Sequence, residues 1–130
     1  MVIPTILMSG PIRPSVAIVL ENIASLRRQF PESRIFLSTW TENADVRAAV
    51  DVYEACPEPP VEDIRRAIPY VTSAHVGLPD THNGGRVNMY RMIYGVERVC
   101  ALARSHISDS DLVIRIRTDA QRPFTCSTRS

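Results

Sequence analysis

The hydrophobic period of this chain changes twice within its first forty residues, and that change limits the fold more than any other feature. Val2 to Met8 is apolar and rich in β-branched residues, with Pro4 near its start, where proline is tolerated. Such a run predicts a strand buried on both faces. Ser9-Gly10-Pro11-Ile12-Arg13-Pro14 breaks it sharply. Ser15 then suits a helix N-cap, and Val16, Val19, Leu20, Ile23, Leu26 and Phe30 recur at helical spacing until Pro31. Arg34 to Thr39 predicts a second strand, followed by Trp40. Strand, turn, helix and strand in this space make a βαβ unit, which implies parallel pairing and a right-handed crossover.

The rest of the chain extends this pattern. Asn43 to Ala49 predicts a short helix capped by Asn43, and Val52 to Ala55 a short strand stopped by Pro57, Pro59 and Pro60. From Val61 to Gly85 little can be read, because Pro69 interrupts Ile64 to Val71 and Gly77 to Gly85 has loop composition. Arg86 to Arg104 predicts the longest helix, with Met89, Tyr90, Ile93, Val96, Val99, Cys100 and Ala103 as its apolar face and Asn88, Arg91 and Arg98 off it. After Asp109 and Asp111, Leu112, Ile114 and Ile116 alternate with Val113, Arg115 and Arg117, which predicts a buried strand running into Arg-Thr-Asp. The fold class expected is α/β: a Rossmann-like three-layer sandwich with a mainly parallel sheet. One domain would span residues 1–119, with a loose tail over residues 120–130 that has one large apolar residue, Phe124.

Composition narrows the function classes. The net charge of +1 argues against bulk attraction to nucleic acid. The charge is unevenly placed: residues 1–83 carry 7 Arg and 10 acidic residues, and residues 84–130 carry 8 Arg and 4 acidic residues. An anionic ligand is expected on the second part. All 15 basic residues are Arg. Every cation is therefore a planar fork suited to phosphate or carboxylate, and lysine chemistry such as a Schiff base or a Walker loop is excluded. Cys56, Cys100 and Cys126 form no Cys-x-x-Cys pair, which supports neither a zinc site nor a disulfide framework. Cys100 is expected to be a buried thiol. No run of 18 apolar residues is present, so no transmembrane segment is expected. A cytoplasmic protein is expected from the thiols and the missing signal-peptide pattern.

Four places could carry chemistry. Asp119 ends the last strand, and open α/β sheets bind ligands beyond the carboxyl ends of their strands; capping the following turn is the competing role. Ser9, Gly10 and Pro11 precede a helix, where backbone N–H groups could face an anion, although without a glycine fingerprint a plain turn is favoured. Ser38, Thr39 and Trp40 end the second strand, and Trp40 serves equally as a base-holding ring or as core. Asn88 and Arg91 share one helix face at i,i+3 spacing, either as solvent-exposed residues or as phosphate and hydroxyl contacts. His75, His82 and His106 share no metal-ligand spacing and are read as loop or surface residues.

Taken together, these blocks resemble WavE-type lipopolysaccharide-synthesis proteins. Ile6-Leu7-Met8-Ser9-Gly10-Pro11-Ile12 is similar to that family's opening "VVQGPI" block. Phe30-Pro31 with Ile35-Phe36-Leu37-Ser38-Thr39-Trp40 is similar to its "FPG…IILSTW". Asn88-Met89-Tyr90-Arg91 resembles its "N-x-x-R", and Ile114-Arg115-Ile116-Arg117-Thr118-Asp119 its "LKIRTD". The blocks span residues 6–119 in the family's order. The resemblance implies a GT-A-like glycosyltransferase fold, here incomplete, with a nucleotide-sugar donor and a glycan acceptor. On this sequence it implies donor contacts from Ser9, Gly10, Pro11, Thr39, Trp40, Asn88, Arg91 and Arg117. It also implies a divalent metal, Mg²⁺ or Mn²⁺, on Asp119. Met8-Ser9 departs from the family's valine–glutamine, and Arg117 stands where the wider motif has its first acid. The acceptor half that should follow the motif is not seen, so a truncated donor-binding half is expected, and turnover by this chain alone is in doubt. A peripheral membrane association stays open. The alternative is a non-catalytic Rossmann-like module that binds a nucleotide or a partner protein.

Overall fold

The computed structural model describes residues 3–13, 15–67, 85–108 and 111–119. Strand β1 (Thr5–Ser9) leads into helix α1 (Val16–Gln29), strand β2 (Ile35–Thr39) and helix α2 (Ala44–Ala49). Strand β3 (Val52–Ala55), helix α3 (Val61–Ala67), helix α4 (Gly85–Ala103), a 3₁₀ turn (Arg104–His106) and strand β4 (Val113–Arg117) follow. The four strands form one parallel sheet in the order β3-β2-β1-β4. The expected α/β, Rossmann-like three-layer architecture is thus observed.

Local chemistry accounts for the helix starts. The Ser15 hydroxyl accepts from the Ile18 N–H, and the Asn43 side chain accepts from the Val46 N–H at 3.0 Å. Each satisfies one of the donors that a helix N-terminus leaves unpaired.

The two faces of the sheet bury different sets. Ile6, Met8, Ile35 and Leu37 pack with Val19, Ile23 and Leu26 of α1 and Val46 of α2. Leu7 and Phe36 point the other way and pack with Val99 and Ala103 of α4. Central strands β1 and β2 are buried throughout, as a parallel sheet covered on both faces requires.

Three expectations are corrected here. Strand β4 is not buried. It is an edge of the described sheet, and Val113, Arg115 and Arg117 are exposed while Ile114 and Ile116 are half-buried. The apolar stripe of α4 also fails in its first half. Met89 and Ile93 are exposed, at 47% and 57%, whereas Arg91, Tyr94 and Arg98 are partly buried and Gly95 is buried. The reason lies in what this half of the helix faces. The C-terminal ends of the strands offer Ser9, Ser38, Glu54 and Arg115 on that face, so polar partners are there to be met. Cys100 is half-buried beside the Leu7 cluster rather than fully enclosed. The proposed tail, His75 and His82 lie outside the described residues.

Candidate functional site

The strand order places β2 and β3 on one side of β1 and β4 on the other. The chain reverses direction of sheet growth between β1 and β4, and in open α/β sheets that switch point opens a crevice at the carboxyl edge. A cleft of about 360 Å³ lies there, lined by Ser9, Gly10, Pro11, Arg13, Trp40, Glu58, Met89, Arg91, Met92, Gly95, Arg115 and Arg117.

The floor of the cleft is sewn together by Thr118. Its N–H donates to the Ser9 carbonyl at 3.1 Å and its hydroxyl to the Pro11 carbonyl at 2.6 Å. Its own carbonyl accepts from Asn22 of α1 at 3.2 Å. Gly10 is required at this crossing: its φ is +133°, and a Cβ there would lie 2.7 Å from the Thr118 hydroxyl oxygen. Two hydrogen bonds therefore tie the end of β4 to the β1–α1 loop. Gly95 places α4 over β1 and Trp40, where a Cβ would make ordinary contacts with Ser9 at 3.6 Å and Trp40 at 3.8 Å.

Four guanidinium groups line this cleft, and their partners differ. Arg91 donates to the Pro59 carbonyl from Nε and Nη2, at 3.2 and 3.0 Å, and meets Glu58 at 3.3 Å. It clamps the proline loop after β3 onto α4. Arg117 makes a two-pronged pair with Asp119, at 2.8 and 2.9 Å, which holds its pKa above the ordinary arginine value. Arg115 donates to the Ser9 hydroxyl at 3.2 Å, and among the described residues no carboxylate comes within ion-pair distance of it. Loss of water, then the charge of Arg117, pushes its pKa below the ordinary value. Arg13 sits in the mouth of the cleft and is exposed. A group of cations with fewer anions is a site for a ligand of opposite charge.

Of the residues singled out from sequence, Ser9, Gly10, Pro11, Trp40, Arg91 and Arg117 line the cleft together. Thr39 does not. It is 1% exposed on the α1 face of β2, and its hydroxyl has no hydrogen-bond partner. Ser38 faces the α4 side but donates to Glu54 at 3.2 Å, and Glu54 in turn takes both prongs of Arg98 at 2.9 and 2.8 Å. Asn88 lies on α4 one turn before Arg91, and its side chain lies outside the described part of the structure. Asp119 stands next to the cleft with its side chain 14% exposed and both oxygens on Arg117.

Sequence reading passed over Arg13, Glu58 and Arg115. The signal for Arg115 was present: two residues apart on a strand, Arg115 and Arg117 must share a face. Nothing in a proline-rich loop marked Glu58.

The described residues do not fit a metal site built by protein ligands alone. Among them no group of three His, Cys, Asp or Glu forms, and the one candidate carboxylate is held by Arg117. Nor, among the described residues, is any helix long and apolar enough to cross a membrane. The chain matches no family model, no curated protein and no solved structure.

Proposed function

We propose that this domain binds a nucleoside diphosphate in the arginine-lined cleft, as the donor-binding half of a GT-A-like glycosyltransferase serving lipopolysaccharide or other surface-polysaccharide synthesis. The observation that carries the reading is the convergence of Arg13, Arg91, Arg115 and Arg117 at the switch point of a parallel sheet. The glycosyl-transfer part rests on the resemblance of residues 6–119 to WavE-type proteins.

The chemistry of the residues fits that role. Cleavage of a sugar–diphosphate bond builds negative charge on the leaving oxygen, and fixed donors aimed at that charge lower the barrier. Arg115 and Arg117 project from a rigid strand and can each present two N–H donors to phosphate oxygens. Arg91 is already committed to Pro59 and Glu58 through one side of its fork, so it supports the wall of the cleft as well as its charge. Both oxygens of Asp119 are committed to Arg117, so the charge of the diphosphate falls to the arginines. No described side chain is assigned to the glycan acceptor.

One observation favours a second reading, a nucleotide-binding module without catalysis. Glu58 and Asp119, the carboxylates in and beside the cleft, are each held by an arginine, and neither is free to act as a base. Calorimetric titration with inorganic diphosphate, UDP, GDP and CMP, with Mg²⁺ or Mn²⁺ and with EDTA, tests the common part. Salt-sensitive binding of the diphosphates is expected, and no binding at millimolar concentration overturns both readings. Release of the nucleoside diphosphate from a nucleotide sugar then separates the enzyme from the module.

A further inference from the structure

A second hollow, of about 420 Å³, adjoins the arginine cleft, and Glu58 lines both. Its chemistry is the reverse of its neighbour's. Pro57, Pro59, Tyr90 and Tyr94 give it flat, largely apolar walls, Glu58 and Asp63 supply carboxylates, and no arginine among the described residues lines it. Tyr94 is held in place from both sides. Its ring stacks on Trp40 of the cleft at a centroid distance of 6.1 Å, and its hydroxyl meets the Cys56 thiol at 3.8 Å. Glu58 is engaged by Arg91 at 3.3 Å, whereas Asp63 pairs, among the described residues, with Arg66 at 3.7 Å, with both side chains largely in solvent. Such an exposed pair is weak, so Asp63 is the carboxylate that a ligand can recruit.

A ligand spanning the two hollows carries an anionic end in the arginine cleft and a planar, uncharged end rich in N–H donors beside the tyrosines. Aromatic side chains stack any base, but an ionised carboxylate only accepts hydrogen bonds. Guanine alone among the common bases offers two adjacent donors, its ring N–H and its 2-amino group, to the two oxygens of one carboxylate. Uracil flanks its single ring N–H with carbonyl oxygens that a carboxylate repels. We propose that this hollow seats the base of the nucleotide and that Asp63 makes it selective for guanine. The inference rests on the diphosphate reading of the neighbouring cleft.

The test titrates the 130-residue chain with GDP, ADP, CDP, UDP and inorganic diphosphate. GDP is expected to bind at least about tenfold more tightly than UDP, as two charge-assisted hydrogen bonds predict. Asp63→Asn should bring GDP to within about threefold of UDP while inorganic diphosphate binds as before. Tyr90→Ala should weaken all four nucleotides and leave inorganic diphosphate unchanged. Four nucleoside diphosphates that bind alike, or an undiminished preference for GDP in Asp63→Asn, overturn the proposal while the anion cleft stands. Failure of inorganic diphosphate and every nucleotide to bind overturns the cleft reading, and this one with it.

Discussion

Arg115→Gln separates a binding role for Arg115 from a structural one. In the folded protein Arg115 holds one neutral hydrogen bond, to Ser9 at 3.2 Å, and stands beside a second cation, Arg117. Glutamine keeps much of the length and can still donate to Ser9, so little packing is lost. Relief of like-charge repulsion offsets the weakened bond, and the unfolding free energy should stay within about 1 kcal/mol of the parent. Binding should respond quite differently. A charge-assisted contact to phosphate contributes about 1.5–3 kcal/mol, so nucleoside diphosphate affinity should fall roughly 10- to 150-fold. The fall should be accompanied by a shallower dependence of affinity on salt, because one fewer cation faces the ligand. Urea denaturation and titration calorimetry at two ionic strengths read both quantities from one preparation. A variant that loses more than about 2 kcal/mol of stability, or that binds diphosphate as the parent does, refutes the assignment of Arg115 to the ligand.

Gly10→Ala forces a side chain into the left-handed region and against the Thr118 hydroxyl at 2.7 Å; strain plus a disturbed hydrogen bond should cost about 2–4 kcal/mol in urea unfolding, and removing the hydroxyl with Thr118→Ala should recover part of it. Asp119→Asn frees Arg117, so a cleft that works through its arginines should bind inorganic diphosphate as well or better, in EDTA as in Mg²⁺ or Mn²⁺; loss of binding and of any metal dependence would instead place a metal on this carboxylate. Arg91→Ala removes both the clamp on Pro59 and a cleft cation, and is expected to lower stability by about 1–3 kcal/mol and diphosphate affinity together; a change in affinity without one in stability would show that the clamp is dispensable.

The elements legible in the sequence are those whose burial is uniform. Ile6 and Met8, and Ile35 and Leu37, sit on one sheet face with α1 over them, while Leu7 and Phe36 fill the other, so period and position agreed. Helix α1 read well for the same reason: one apolar stripe meets one apolar surface. Helix α4 was misread in its first half because it lies over both kinds of surface. Its last turns cover Leu7 and Phe36, whereas its first turns cover the cleft, and a periodicity of apolar residues cannot say which surface a turn will meet. Thr39 shows the same gap on a strand. Adjacent to Ser38 and Trp40 in sequence, it points to the opposite face, and alternation alone should have separated it from the cleft.

The arginine cluster also bears on why the fold tolerates cations in a cleft at the end of its sheet. Arg117 and Arg91 each have a carboxylate within 3.3 Å, and those pairs hold the guanidinium planes before any ligand arrives. Exposed pairs of this kind add little stability, so their worth lies in orientation rather than in cohesion. Arg115 lacks such a partner and carries the cost of desolvation beside a like charge. Groups that add little cohesion persist where function compensates for them, and Arg115 is one such group, set in the crevice that the strand order opens.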